Sequence, residues 1–178
     1  MHIQEFAQQF ATELANQMYQ DIYREIVMQH IIAAIKAGLI AGLIMAVVGT
    51  IIGMLKITKL DLTTYTGCML SGQSKGSAPF VAGFIFHMIV SAVLGVVYLY
   101  LIHTFKLPAT LQTGIILGVL NTLFSGTLML VMDVINPCVR SGKVERMGFM
   151  VTAQGLPATL VYFFLHIVYA VCVIKFLA

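Results

Sequence analysis

Residues Gly83–Tyr98 read GFIFHMIVSAVLGVVY, a run with no charged residue and one imidazole, His87, near its middle. An imidazole in so apolar a run costs free energy unless a neighbour satisfies it. From Tyr162 the chain reads YFFLHIVYAVCVIKF, and His166 stands in nearly the same setting. Phe-Ile-Phe-His-Met-Ile-Val in the first run becomes Phe-Phe-Leu-His-Ile-Val in the second. Runs of this kind fix the fold class, because each approaches the ~20 apolar residues that a bilayer-spanning helix needs.

The rest of the chain agrees. Its 178 residues are 60% hydrophobic and 10% charged, with a mean hydropathy of +0.96. Soluble domains carry about 25% charged residues, so this chain cannot cover a soluble globule with polar surface. It reads as an integral membrane protein. Its net charge of +3 comes from basic residues scattered through short loops, which excludes a nucleic-acid interface. No tryptophan is present, so tyrosines such as Tyr65, Tyr98, Tyr100, Tyr162 and Tyr169 must supply any interfacial belt. The polar, acidic start shows no cleavable signal pattern.

Four apolar stretches are spans: Ile31 to Leu55, Pro79 to Ile102, Leu111 to Ile135 and Leu156 to Leu177. Pro79, Pro108 and Pro157 stand at or just before helix starts, where a missing N–H does no harm. Residues 1–29 precede the spans. Ile3, Phe6, Phe10, Leu14, Ile22 and Ile26 recur there at helical spacing, while Glu5, Glu13, Asp21 and Glu25 face Arg24 alone. This predicts an acidic amphipathic helix, either solvated or packed on a partner, that can run on into the first span. Its acidity disfavours simple adsorption on anionic lipid. The expected fold is all-α: an integral membrane four-helix bundle of two similar helical hairpins, with an N-terminal amphipathic helix.

The halves resemble each other. Gly38-x-x-x-Gly42 opens the first span and Gly114-x-x-x-Gly118 the third; Asp61 and Cys68 follow one, Asp133 and Cys138 the other; then come a proline and His87 or His166. Two-span units placed head to tail point the same way across the membrane, related by a pseudo-twofold axis along its normal. The two imidazoles then share one depth, roughly 12–14 Å by helical rise from the side that holds loop one (Lys56 to Ala78) and loop three (Asn136 to Gly155). The glycine pairs let helix backbones approach closely in lipid.

Four polar residues within or at the ends of spans are the candidate site: His87, His166, Asp133 and Asn121. Each has a plain structural role. The histidines can be neutral rings bonded to a carbonyl or to Ser91, Thr122, Ser125 or Tyr169. Asp133 can be an interfacial carboxylate neutralised by Arg140, Lys143 or Lys56, and Asn121 can bond across helices. The sharper readings are a proton or solute path using both rings, and a metal or haem held by His87 and His166. Cys68, Met69, Met132, Cys138, Met147 and Met150 form a further soft-donor set, although methionine in such a chain is mostly packing material. Lys36 can snorkel to the interface. No catalytic triad, carboxylate pair, phosphate loop or HExxH motif is present, so no enzyme is expected. Loops one and three carry Lys56, Lys59, Lys75, Arg140, Lys143 and Arg146; the other side has Arg24, Lys36, Lys106 and Lys175. The positive-inside rule then puts loops one and three in the cytoplasm, a reducing compartment where Cys68 and Cys138 would stay unpaired.

The second-span pattern His87, Ser91, Gly95, Tyr98 and the fourth-span pair His166, Tyr169 carry a resemblance. So do KAGLIAGLIMAVVGTIIGML from Lys36, Asp61 and Gly67 after it, and a glycine-rich third span ending in Asn136-Pro137. From Lys36 onward the chain resembles the YagU-like group of bacterial four-span inner-membrane proteins. It departs from them in its longer acidic N-terminal helix and its lack of tryptophan. The resemblance implies the fold and a bacterial cytoplasmic membrane, and no activity. The sequence is read first as a non-enzymatic accessory or structural subunit of a membrane assembly. It would contact lipid and other membrane subunits or its own copies, in part through residues 1–29, with bound lipid and no cofactor. The alternatives are a small transporter or channel with a histidine-lined path, and a b-type haem or metal protein.

Overall fold

The computed structural model describes the backbone of residues 2–178, and side chains at Glu13 and from Ala15 on. Among the described residues six α-helices follow one another: α1 (His2–Met54), α2 (Leu62–Ser71), α3 (Ser77–Phe105), α4 (Leu111–Ile135), α5 (Pro137–Arg140) and α6 (Leu156–Leu177). A short 3₁₀ segment, Phe149–Gln154, precedes α6. Four of these helices are long and apolar enough to cross a membrane, within Ala15–Met54, Ser77–Phe105, Leu111–Ile135 and Leu156–Leu177. The chain divides into two compact units, Met1–Ala33 and Ala34–Ala178.

The helix starts follow local chemistry. Asp61 caps α2 by accepting from Thr64 N at 2.8 Å, and Thr110 caps α4 by accepting from Thr113 N at 3.3 Å. Asn136 caps α5 at Cys138 N (2.9 Å), with Pro137 in the first position that tolerates it. Along α3 the side chains of Ile85, Ile89, Val93 and Val97 are all exposed at four-residue spacing. Such a stripe belongs against acyl chains, as do Ile40, Leu43 and Val47 on α1 and Leu160 and Phe164 on α6.

At the N-terminus the continuous alternative is the one observed. The N-terminal helix runs into the first span without a break, as α1 from His2 to Met54. Nothing between Gln29 and Ile31 interrupts helical propensity, since no Gly or Pro stands there. The side chains of residues 1–12 and Leu14, which include Ile3, Glu5, Phe6 and Phe10, lie outside the described residues. Within the described part of the first unit, Met18, Tyr19, Ile22, Tyr23, Ile26 and Val27 form an exposed apolar stripe.

In the second unit, glycines set the helix pairs. A Cβ on Gly38 would strike the Ser91 carbonyl oxygen and come within 3.2 Å of Gly95 Cα. A Cβ on Gly118 would lie 2.7 Å from Ile167 Cα, and one on Gly114 2.9 Å from Val171 Cα. So α1 closes on α3, and α4 on α6, through glycine faces on the first helix of each hairpin.

The loops are more structured than their sequences suggest. Helix α2 lies on α3 with Tyr65, Thr66, Gly67 and Cys68 buried; a Cβ on Gly67 would strike the Pro79 carbonyl, and one on Gly83 the Thr63 carbonyl. Loop three also turns inward. A Cβ on Gly126, over two turns from the end of α4, would sit 3.1 Å from Met150 Cα. Met150 (φ 49°) and Val151 (φ 56°) are left-handed, which costs of order 1–3 kcal/mol each, and the complete burial of Val151 helps offset it.

Cys68 and Cys138 form a disulfide with their Cα atoms 6.1 Å apart, contrary to the expectation from the loop charges. That expectation rested on a small excess of basic residues. The contact itself follows from docking α2 beside α5, which brings residues 70 positions apart together. The soft-donor set thereby loses both of its thiolates on this face, and Cys172 is the free cysteine.

Candidate functional site

Two buried clusters bracket a polar layer in the second unit. Tyr98, Leu117, Tyr169 and Val173 belong to one, near the α3–α4 turn; Tyr65, Met129, Met147, Val151 and Tyr162 belong to the other, near loops one and three. Between them lies a cavity of about 150 Å³. Its polar lining includes Thr66, His87, Ser91, Asn121, Ser125 and His166. The two imidazoles thus meet at one cavity, drawn from α3 and α6. A wider crevice of about 440 Å³ is lined by Thr58, Lys59 and Asp61 of loop one and by Thr63 and His87. Cavity and crevice share Met45, Leu62, Thr63 and His87 in their walls.

The two rings are held differently. His87 Nε2 lies 3.0 Å from the Gly42 carbonyl oxygen, which can only accept, so Nε2 carries the hydrogen. In the neutral ring Nδ1 is then a lone pair, and it has no hydrogen-bond partner among the described residues. His166 Nδ1 donates to the Tyr162 carbonyl at 2.7 Å, and its Nε2 meets Ser125 Oγ at 3.0 Å. Tyr162 OH donates to the same Ser125 oxygen at 2.7 Å, and its ring tilts over His166 with centroids 4.2 Å apart.

The remaining candidates divide. Asn121 stands on the cavity wall, and its Nδ2 is buried with no partner among the described residues. Asp133 is not among the cavity's lining residues, and its hydrogen-bond partners among the described residues are neutral. Its Oδ1 accepts from Tyr65 OH (2.7 Å) and Met147 N (2.9 Å), and its Oδ2 from Gly148 N (2.7 Å). Lys143, one expected partner, donates to the Gly72 carbonyl at 2.9 Å instead. Backbone amides can do a cation's work here because loop three folds inward over the carboxylate. Burial, and next the Asp133 carboxylate, push the Tyr65 phenol above its ordinary value. Asn136 Nδ2 donates to the Tyr65 carbonyl at 3.2 Å, so α2, α4, α5 and loop three are locked together at this end. At the other end Tyr169 OH donates to the Ser91 carbonyl at 2.6 Å, and Tyr98 OH to that of Leu117 at 3.4 Å.

Sequence reading named Ser125 only as an available partner, and it placed Tyr65 and Tyr162 in an interfacial belt. Tyr162 had a usable signal, since it precedes His166 by four residues and shares its helix face. Tyr65 had none, because its partner Asp133 is 68 residues away. Among the described residues no three His, Cys, Asp or Glu side chains come together in a way that would hold a metal ion. Comparison with protein-family models, curated proteins and solved structures finds no match to this chain.

Proposed function

We propose that this multi-pass membrane protein is a small carrier, taking a solute from the loop-one face through the crevice to the cavity between its two hairpins. The observation that carries the reading is the meeting of His87 and His166 at one cavity whose wall continues into an open crevice. A cavity near 150 Å³ accommodates a benzene-sized molecule or a few waters. Its walls mix apolar side chains with a few polar groups, as small-molecule sites do. A site at mid-depth between two like-oriented hairpins also fits the architecture of parallel-repeat carriers, and the resemblance to the YagU-like group is compatible with this arrangement. The haem reading has less support. Both ring nitrogens of His166 are already bonded, and the cavity is far smaller than a macrocycle. The Cys68–Cys138 bond favours an oxidising compartment for the crevice mouth, against the modest charge bias of the loops.

An accessory-subunit role draws on a separate observation, the exposed apolar stripe from Met18 to Val27 in the first unit. The two readings are compatible.

Cysteine accessibility tests the carrier reading. In a Cys172→Ser background, single cysteines replace Lys59 at the mouth, Thr63 where crevice and cavity meet, and Val93 on the lipid face of α3. A charged, membrane-impermeant thiol reagent is then added to protein in bilayers. Thr63→Cys is expected to react at a rate near that of Lys59→Cys, with Val93→Cys protected. A Thr63→Cys variant as inert as Val93→Cys means a dry crevice and ends the proposal.

A further inference from the structure

The Ser125 hydroxyl sits among more partners than one hydrogen can serve. It lies 3.0 Å from His166 Nε2, 2.7 Å from the Asn121 carbonyl and 3.3 Å from the Thr122 carbonyl, and it accepts from Tyr162 OH at 2.7 Å. We infer that His166 is a proton-binding site, its neutral and cationic forms both fully hydrogen-bonded because Ser125 turns between two acceptors. The inference rests on the carrier reading and names what the carrier couples to.

The hydrogen count works in both states. Nδ1 donates to the Tyr162 carbonyl throughout, since a carbonyl cannot donate back. In the neutral ring Nε2 is a lone pair, and the Ser125 hydroxyl donates to it. In the cation Nε2–H donates to Ser125 Oγ, and the Ser125 hydrogen turns to the Asn121 carbonyl. Tyr162 donates to Oγ in either state, so Oγ accepts one bond in the first and two in the second, within the capacity of its two lone pairs. Loading is a relay. A proton arriving from the cavity bonds to Oγ, the former Ser125 O–H bond breaks as the Nε2–H bond forms, and no electrons change hands.

The surroundings leave the cation dependent on this arrangement. Across the cavity α3 presents His87, whose Nε2–H is committed to Gly42. Helix α6 adds Tyr169, committed to Ser91 and packed on Tyr98 of α3 with centroids 5.9 Å apart. Helix α2 offers Thr63 and Thr66, and α1 offers Met45. Among the described residues no carboxylate, Lys or Arg lines the cavity. Asp133 lies about two turns from Ser125 and is held by loop three, while Lys59 and Asp61 stand in the crevice wall. A charge on His166 therefore has no counter-ion in the cavity, and the Ser125 oxygen is the acceptor that receives its new N–H.

Nitrogen-15 NMR of histidine-labelled full-length protein in lipid nanodiscs tests this. The His166 signals are assigned by their loss in His166→Gln, and folding is followed by circular dichroism. As pH is lowered from 8 toward 3, His166 Nε2 is expected to move reversibly from the lone-pair to the N–H region with the fold intact. Ser125→Ala is expected to lower proton affinity about tenfold, moving the midpoint down by roughly one pH unit, whereas Ser125→Thr keeps it. If Ser125→Ala does not fold, Ser125→Cys, with its weaker acceptor, is expected to shift the midpoint the same way. A His166 that stays neutral until the protein unfolds, or a midpoint indifferent to loss of the hydroxyl, overturns the inference. A labelled crevice with a non-titrating His166 removes the proton site and leaves the carrier. A dry crevice with a titrating His166 removes the carrier and supports the proton site.

Discussion

Asp133 is the costliest group to bury among the residues at the loop-three end, and it is stabilised without a cation. One phenol and two backbone amides supply three donors at 2.7–2.9 Å. Hydrogen bonds to a charged acceptor contribute roughly 1.5–3 kcal/mol, so Tyr65→Phe is expected to destabilise the fold by about 2 kcal/mol near neutral pH. The pH dependence has a definite sign. The folded phenol is pushed above its ordinary value near 10, so its contribution is intact below that pH. As the medium becomes more alkaline, the unfolded chain releases this proton first, and the contribution is lost as pH rises through the folded value. Unfolding titrations of both proteins are therefore expected to show their stability difference shrinking above about pH 10. A constant difference would mean that the Tyr65 hydroxyl is not the stabilising group.

The helices associate through backbone contact, and this separates glycines that look alike in sequence. Gly38 and Gly53 both lie in α1. A methyl on Gly38 would meet the Ser91 carbonyl and Gly95 Cα, which are backbone atoms that cannot swing aside. A methyl on Gly53 would meet nothing within 4 Å. Gly38→Ala is expected to cost about 1–3 kcal/mol through overpacking. Gly53→Ala is expected to gain up to about 1 kcal/mol, the ordinary preference of a helix for alanine. Unfolding by denaturing detergent in mixed micelles measures both; equal effects would show that α1 and α3 do not meet at Gly38. At the same scale, the repeat register explains why the two histidines differ. If Gly42 matches Gly118, then Ser125 matches Gly49. At that matching position the first hairpin therefore has no hydroxyl, and His87 bonds the Gly42 carbonyl.

Across the second unit, the Cys68–Cys138 disulfide closes a long loop through both hairpins. Chain-entropy reasoning for a separation of 70 residues gives about 4 kcal/mol of stabilisation. Alkylation of unfolded, unreduced protein followed by intact mass measurement is expected to add a single label, at Cys172, and three after reduction. Three labels without reduction would show the bond to be absent. Reduction before unfolding is expected to lower the melting temperature and to release α2 from α5 first, because the bond joins those two elements directly.

What the sequence settled by itself was composition and period. Long apolar runs need a bilayer, so three spans were legible to within a few residues: Leu111–Ile135 and Leu156–Leu177 coincide with the helices, and the second grew only from Pro79–Ile102 to Ser77–Phe105. The small-residue faces and the two histidines were equally visible, because spacing along one helix is a local property. Partnership was not local. That Asp133 takes Tyr65 and loop three rather than a lysine, that Cys68 meets Cys138, and that Ser125 and Tyr162 converge on His166 all depend on residues far apart in the chain. Only the packing of α2 and loop three into the bundle decided them, by placing specific donors within hydrogen-bond reach where water is excluded and alternatives are few.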